Sequence, residues 1–159
     1  MIQRIQTIWL LLSCVTIFAL FLFPYLQFFD SSGIAMALKV NGILNSSGGQ
    51  NELSISFGFI LQAIATVIIG ILPLVTIISY KNRKKQIILI LITVALTILF
   101  GCWLFISASK AIENVDKSIS IDNIGIGALL IPLFLVFQFL AMKGIKRDTK
   151  LIKSADRLR

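Results

Sequence analysis

The sequence predicts an all-α membrane protein of four transmembrane helices, with both ends on one side and a small β-hairpin in the first outer loop. Three observations lead there. Of 159 residues, 57% are hydrophobic and 14% charged, against roughly 45–50% apolar and 25% charged in a soluble domain. Two long uncharged runs, 55–80 and 87–109, each exceed the ~20 residues that carry a helix across a hydrocarbon core of about 30 Å. The link between them, Lys81-Asn82-Arg83-Lys84-Lys85-Gln86, packs in four cations, a cytoplasmic mark under the positive-inside bias.

The first span is read over 8–29, apolar apart from Ser13, Thr16 and Gln27. Trp9 falls near the inner surface and Tyr25 near the outer one, where aromatics with a polar handle gather. Pro24 falls in the outer turn. A cleaved signal peptide has a shorter apolar core of about 7–15 residues and a small-residue cut site. Leu11-Leu12-Ser13-Cys14 looks like a lipoprotein box, but the apolar run continues through Phe21 where a lipoprotein tether is polar. An uncleaved span is the preferred reading.

The segment 30–54 is the longest polar stretch and forms the first outer loop. Gly33, Asn41-Gly42 and Asn45-Ser46-Ser47-Gly48-Gly49 are turn signals, with strand character over 34–40 and 53–57. A small hairpin and a mobile loop both fit.

In the second span, Gln62, Thr66 and Gly70 recur every four residues, as do Thr93, Thr97 and Gly101 in the third. Each set makes one row along a helix face. Counted from the inner ends, Gly70 matches Thr97 in depth and Thr66 matches Gly101. An antiparallel pair would bring these small residues together as a packing seam, since helices in lipid associate by close packing. The alternative is that Gly and Thr are simply common in such helices. A second outer loop, 110–123, precedes the fourth span at 124–142. Lys143-Gly144-Ile145-Lys146-Arg147 then opens a tail over 143–159.

The charges agree with this arrangement. Arg4, the 81–85 link and the tail hold twelve of the fifteen cations, while Lys39, Lys110 and Lys117 lie outside with five of the seven acids. Both termini are therefore expected in the cytoplasm. The net charge of +8 lies beside membrane ends, so anionic lipid explains it better than nucleic acid does. In the tail, Ile145, Ile152, Ala155 and Arg159 share a stripe, with Leu151 and Leu158 beside it, interleaved with Lys146, Arg147, Lys150, Lys153 and Arg157. Such a basic amphipathic helix lies on an anionic inner leaflet or docks in a partner's groove. The expected lipid or partner contacts are Lys81, Arg83, Lys84, Lys85, Lys146, Arg147, Lys150, Lys153, Arg157 and Arg159.

Little points to chemistry. There is no histidine, and no span holds an ionisable group of the kind that ion and proton pathways use. No catalytic, cofactor or metal site is expected, because phosphate loops, metal-ligand spacings and nucleophile–base pairs are missing. Gln62 and Gln138 are read as interhelical hydrogen-bonding groups rather than pore lining. Pro73 and Pro132 are read as kinks, and Glu113 with Asp116 as a solvated outer face. Cys14 and Cys102 fall at different depths, too far apart for a disulfide.

Both ends carry a resemblance. Met1-Ile2-Gln3-Arg4-Ile5-Gln6-Thr7-Ile8 and Lys150-Leu151-Ile152-Lys153-Ser154-Ala155-Asp156-Arg157-Leu158-Arg159 resemble a family of Bacteroidota inner-membrane proteins, the domain of unknown function 4293. The likeness extends to length, four spans, a long first outer loop and a basic tail. It implies placement in a bacterial inner membrane and brings no catalytic residues. Thr149 stands where members usually have an acid after Asp148. The function expected is non-enzymatic: an accessory or scaffold subunit of a membrane complex, in an oligomer or hetero-complex. The alternative is a small oligomeric transporter or channel; an enzyme acting on lipid has little support.

Overall fold

A computed structural model describes residues 3–29, 33–47, 50–80, 82–113 and 123–156. Helix α1, Gln3–Phe18, continues as a 3-10 turn over Ala19–Phe21. Proline offers no amide hydrogen and drives its predecessor out of helical geometry, and the chain leaves the helix before Pro24. The apolar run 8–29 is thus divided, and its last four residues form a strand rather than the end of a span.

That strand, β1 (Leu26–Phe29), opens an antiparallel sheet with β2 (Ala35–Lys39), β3 (Gly42–Ser47) and β4 (Gln50–Ser54) in the order β1-β2-β3-β4. The segment read as the first outer loop is therefore a four-stranded meander beginning inside the first apolar run, and larger than a single hairpin. Leu26 and Phe28 are buried while Gln27 and Phe29 face out, the alternation of a strand with one face on a core. Lys39 pairs with Gly42, so Val40-Asn41 is a two-residue turn. A Cβ on Gly42 would lie 2.8 Å from the Ser54 carbonyl oxygen, and only glycine lets β4 come this close.

Helix α2 spans Phe57–Ile78, α3 Arg83–Glu113 and α4 Ile126–Asp156. The last two have 31 residues each, about 46 Å at 1.5 Å per residue. Helix α4 runs on past the expected end of the fourth span at Met142, so the tail begins as an extension of the bundle. Helix α1 packs most extensively on α4 and then on α2, α2 packs on α3, and α3 on α4. Gln6 meets Asp148 and Gln62 meets Ser107, so these neighbours run antiparallel. One end gathers the start of α1, the α2–α3 link and the second half of α4; the sheet caps the other.

Beneath the sheet, Ile17, Leu20, Leu26, Leu38, Ile69, Phe100 and Phe134 form one core; Leu10, Ile90, Ala141, Met142 and Ile145 form a second towards the basic end. The outside is apolar too, with Ile8, Val15, Ile64, Ile68, Leu91, Ile98, Phe105, Leu129, Val136 and Phe139 exposed. Three helices among the described residues are long and apolar enough to cross a membrane, with only 28–33% of each apolar stretch buried. So large an apolar surface fits a hydrocarbon solvent, and the chain is a membrane protein.

Candidate functional site

The two glycines in the rows on α2 and α3 have α1 and α4, not each other's helix, nearest to them. The Cβ position of Gly70 lies 2.8 Å from the Phe18 ring and 3.1 Å from Ile17 Cγ2, on α1. At Gly101, Ile131 Cγ2 on α4 lies 3.6 Å away, the one contact from another helix within 4 Å among the described residues. Thr66 and Thr97 are fully buried, but their hydroxyls donate one turn back, to the carbonyls of Gln62 and Thr93. Gly70 thus lets side chains of α1 press against α2, and Gly101 faces α4. Depth is set by counting along the axis, whereas rotation is set by side-chain packing around it.

The polar seam lies between α1 and α4. On α1 and its 3-10 extension, Gln6, Leu10, Ser13, Ile17 and Leu20 are buried; on α4, Phe134, Gln138, Ala141, Ile145 and Asp148 are. Both rows step alternately by three and four, the spacing of antiparallel helices with interlocking side chains. Gln138 Nε2 donates to Ser13 Oγ at 3.1 Å, and Ser13 donates to the Leu10 carbonyl at 2.7 Å. Gln6 Nε2 donates to Asp148 Oδ2. Trp9 stacks on Phe137 with ring centres 5.9 Å apart. Across the other pair, Gln62 Nε2 donates to Ser107 Oγ at 2.7 Å.

At the basic end, Gln6, Thr7 and Leu10 of α1, Ile77 and Tyr80 at the end of α2, Arg83 and Gln86 of α3, and Ile145 and Asp148 of α4 line a cavity of about 230 Å³. Gln86 ties α3 to α2, its Nε2 donating to the Thr76 carbonyl at 3.0 Å. Asp148 is 7% exposed. Among the described residues its Oδ1 has no hydrogen-bond partner, and neither does the buried Nη1 of Arg83.

Around this cavity stand the cations read from the sequence. Lys84, Lys85, Lys146, Arg147 and Lys150 are exposed and Arg83 is half-buried. Lys153 lies on α4, while Lys81, Arg157 and Arg159, with Asp116, fall outside the described residues. Ile145, read as part of a lipid-facing stripe, instead packs against Leu10 and Ile90. Sequence reasoning passed over Gln6, Gln86 and Asp148. Their signal was phase: Asp148 continues the buried three–four row that begins at Phe134.

At the opposite end, Tyr25 is not a surface anchor. Its ring is buried and its hydroxyl lacks a partner among the described residues. Burial raises this hydroxyl well above its ordinary value of 10.0. Gly125 and Gly127 donate to the carbonyls of Tyr25 and Pro24, at 3.1 and 2.9 Å, docking the start of α4 on the chain that leaves α1. Both thiols are free, Cys14 buried and Cys102 exposed.

A model of a domain of unknown function, DUF4293, matches residues 2–158. The chain belongs to this family. No curated protein and no solved structure matches it significantly. The family match spans both the α1–α4 seam and the basic end, and names no activity for either.

Proposed function

We propose that this DUF4293 protein is a non-enzymatic, four-span inner-membrane protein with both termini cytoplasmic, acting as an accessory or scaffold subunit that presents its basic end to anionic lipid and a peripheral partner. Three of the spans are α2, α3 and α4. The fourth is α1, whose apolar part, Ile5–Phe21, is about 25 Å long and lies at the lower limit for crossing. It packs antiparallel to α4, as a span would.

The observation that carries the reading is the collar of exposed cations at one end of a filled bundle. Lys84 and Lys85 sit in the first turn of α3, where the helix dipole disfavours positive charge. They do nothing for the helix; orientation and partner contact account for them. The transporter alternative requires a polar path. Gln62 and Gln138 instead donate to serines on adjacent helices, separated by apolar layers around Phe134 and Leu10.

Removing the whole of 143–159 would damage the bundle, because Ile145 and Asp148 are buried in it. The test is therefore Lys143, Lys146, Arg147 and Lys150 all changed to Gln, with affinity capture from native membranes in mild detergent. A partner that co-purifies with the wild type and is lost from the folded variant supports the reading. A bundle captured alone in both cases ends it.

A further inference from the structure

We infer that the cavity at the basic end is a binding site for a phosphoethanolamine group, with its phosphate on Arg83 and its ammonium on Asp148. Two buried atoms, on side chains of opposite charge, belong to residues that line the same space. Asp148 Oδ1 is an acceptor without a donor, and Arg83 Nη1 is a donor without an acceptor. Leaving either unmet in a buried site is costly, more so for a charged group. A ligand carrying both an N–H cation and an anionic oxygen satisfies the two at once. A purely anionic ligand leaves the carboxylate facing like charge, and a purely cationic one leaves the guanidinium unmet.

The remaining walls suit such a ligand. Gln6 holds the other carboxylate oxygen, which fixes the direction of Oδ1. Leu10, Ile77 and Ile145 give an apolar floor, and the exposed Tyr80 stands at the rim. The volume of about 230 Å³ far exceeds the ~10–15 Å³ that one water needs on the same measure, so a group larger than water fits. The cavity also lies at the depth where lipid-facing Ile8, Leu11, Ile78 and Ile88 give way to exposed Lys84, Lys85, Lys146 and Arg147. That is the headgroup level of a bilayer. The group can therefore come from a phosphatidylethanolamine lipid or from free phosphoethanolamine. The site depends on the bundle crossing a membrane and not on the accessory role, so either proposal survives failure of the other.

The full chain is placed in nanodiscs of equal phosphatidylethanolamine, phosphatidylcholine and phosphatidylglycerol, and the retained lipid is read by native mass spectrometry. Choline has no N–H to give Asp148, so ethanolamine lipid is expected about tenfold over choline lipid, the effect of one charge-assisted hydrogen bond. Asp148→Asn removes that preference, and Arg83→Gln lowers retention of both lipids. Ser46→Ala, on the sheet at the opposite end, leaves the preference unchanged. If Asp148→Asn does not fold, the half-buried Arg83 carries the test: unchanged retention in Arg83→Gln overturns the proposal. A parallel arm adds soluble phosphoethanolamine. Binding there without lipid preference identifies the free compound as the ligand and supports the same site. No preference in the nanodisc together with no soluble binding overturns it, as does a preference that Asp148→Asn leaves intact.

Discussion

A hydroxyl inside a lipid-embedded helix finds its acceptor one turn back. Thr16, Thr66, Thr76, Thr93 and Thr97 each donate to the carbonyl four residues earlier, so these residues can sit on any face without a neighbour's help. Glutamine is too long for this, and Gln62 and Gln138 reach across to another helix. That difference was legible in residue type alone. The exception among hydroxyls is Tyr25, buried and without a partner. Above pH ~10 an unfolded chain loses the tyrosine proton, whereas burial keeps it on in the fold. The unfolded state then binds fewer protons, so stability falls as pH rises. Tyr25→Phe removes that share, up to about 1.4 kcal/mol per pH unit above ~10. Melting temperatures in detergent at about pH 9 and about pH 11 should drop less for the variant than for the wild type. An equal drop would show that the ring is not buried in solution.

Helices are recognised by their apolar length, but their ends and rotations come from contacts. The spans at 55–80 and 87–109 were legible because lipid demands long uncharged runs. The first was overextended to Phe29, since Leu26-Gln27-Phe28-Phe29 is as apolar as the helix before it; only the break at Pro24 and the alternation of β1 distinguish the two. The rotation of α2 and α3 was not legible at all. Four-residue rows reveal that a face is small, not which neighbour it meets. Substituting the two seam glycines separates the sequence expectation from the structure. Gly70→Ala pushes a Cβ to 2.8 Å from the Phe18 ring and should cost about 1–3 kcal/mol, as overpacking does. Gly101→Ala meets only Ile131 at 3.6 Å and should be neutral or stabilising by up to ~1 kcal/mol through helix propensity. A seam joining the two rows would penalise both. Thermal unfolding followed by circular dichroism in one detergent distinguishes the outcomes.

At the scale of the whole molecule, the bundle is asymmetric along its axis. A sheet that encloses Leu26, Phe28 and Leu38 caps one end; cations crowd the other. The asymmetry was readable because charge counts need no three-dimensional information. The polar cavity inside the basic end was not, because Gln6, Arg83 and Asp148 lie far apart in the chain and meet only through the antiparallel return of α4 along α1. Charge bias of this size sets the orientation of short-looped membrane proteins, so the sheet should face away from the cytoplasm. The check uses a chain carrying Cys14→Ser and Cys102→Ser, with one new cysteine at an exposed position: Lys84→Cys, Lys150→Cys or Ser46→Cys. In intact spheroplasts a membrane-impermeant maleimide should label the Ser46 variant alone, and the other two only after permeabilisation. Labelling at Lys84 and Lys150 with Ser46 protected would reverse the orientation, labelling at Ser46 and Lys150 with Lys84 protected would remove α3 or α4 from the set of spans, and labelling of all three in intact cells would remove α2. Because Gln6 on α1 and Asp148 on α4 are hydrogen-bonded to one another, losing one crossing would tear this contact apart, so the same experiment also bears on whether the cavity exists in the membrane.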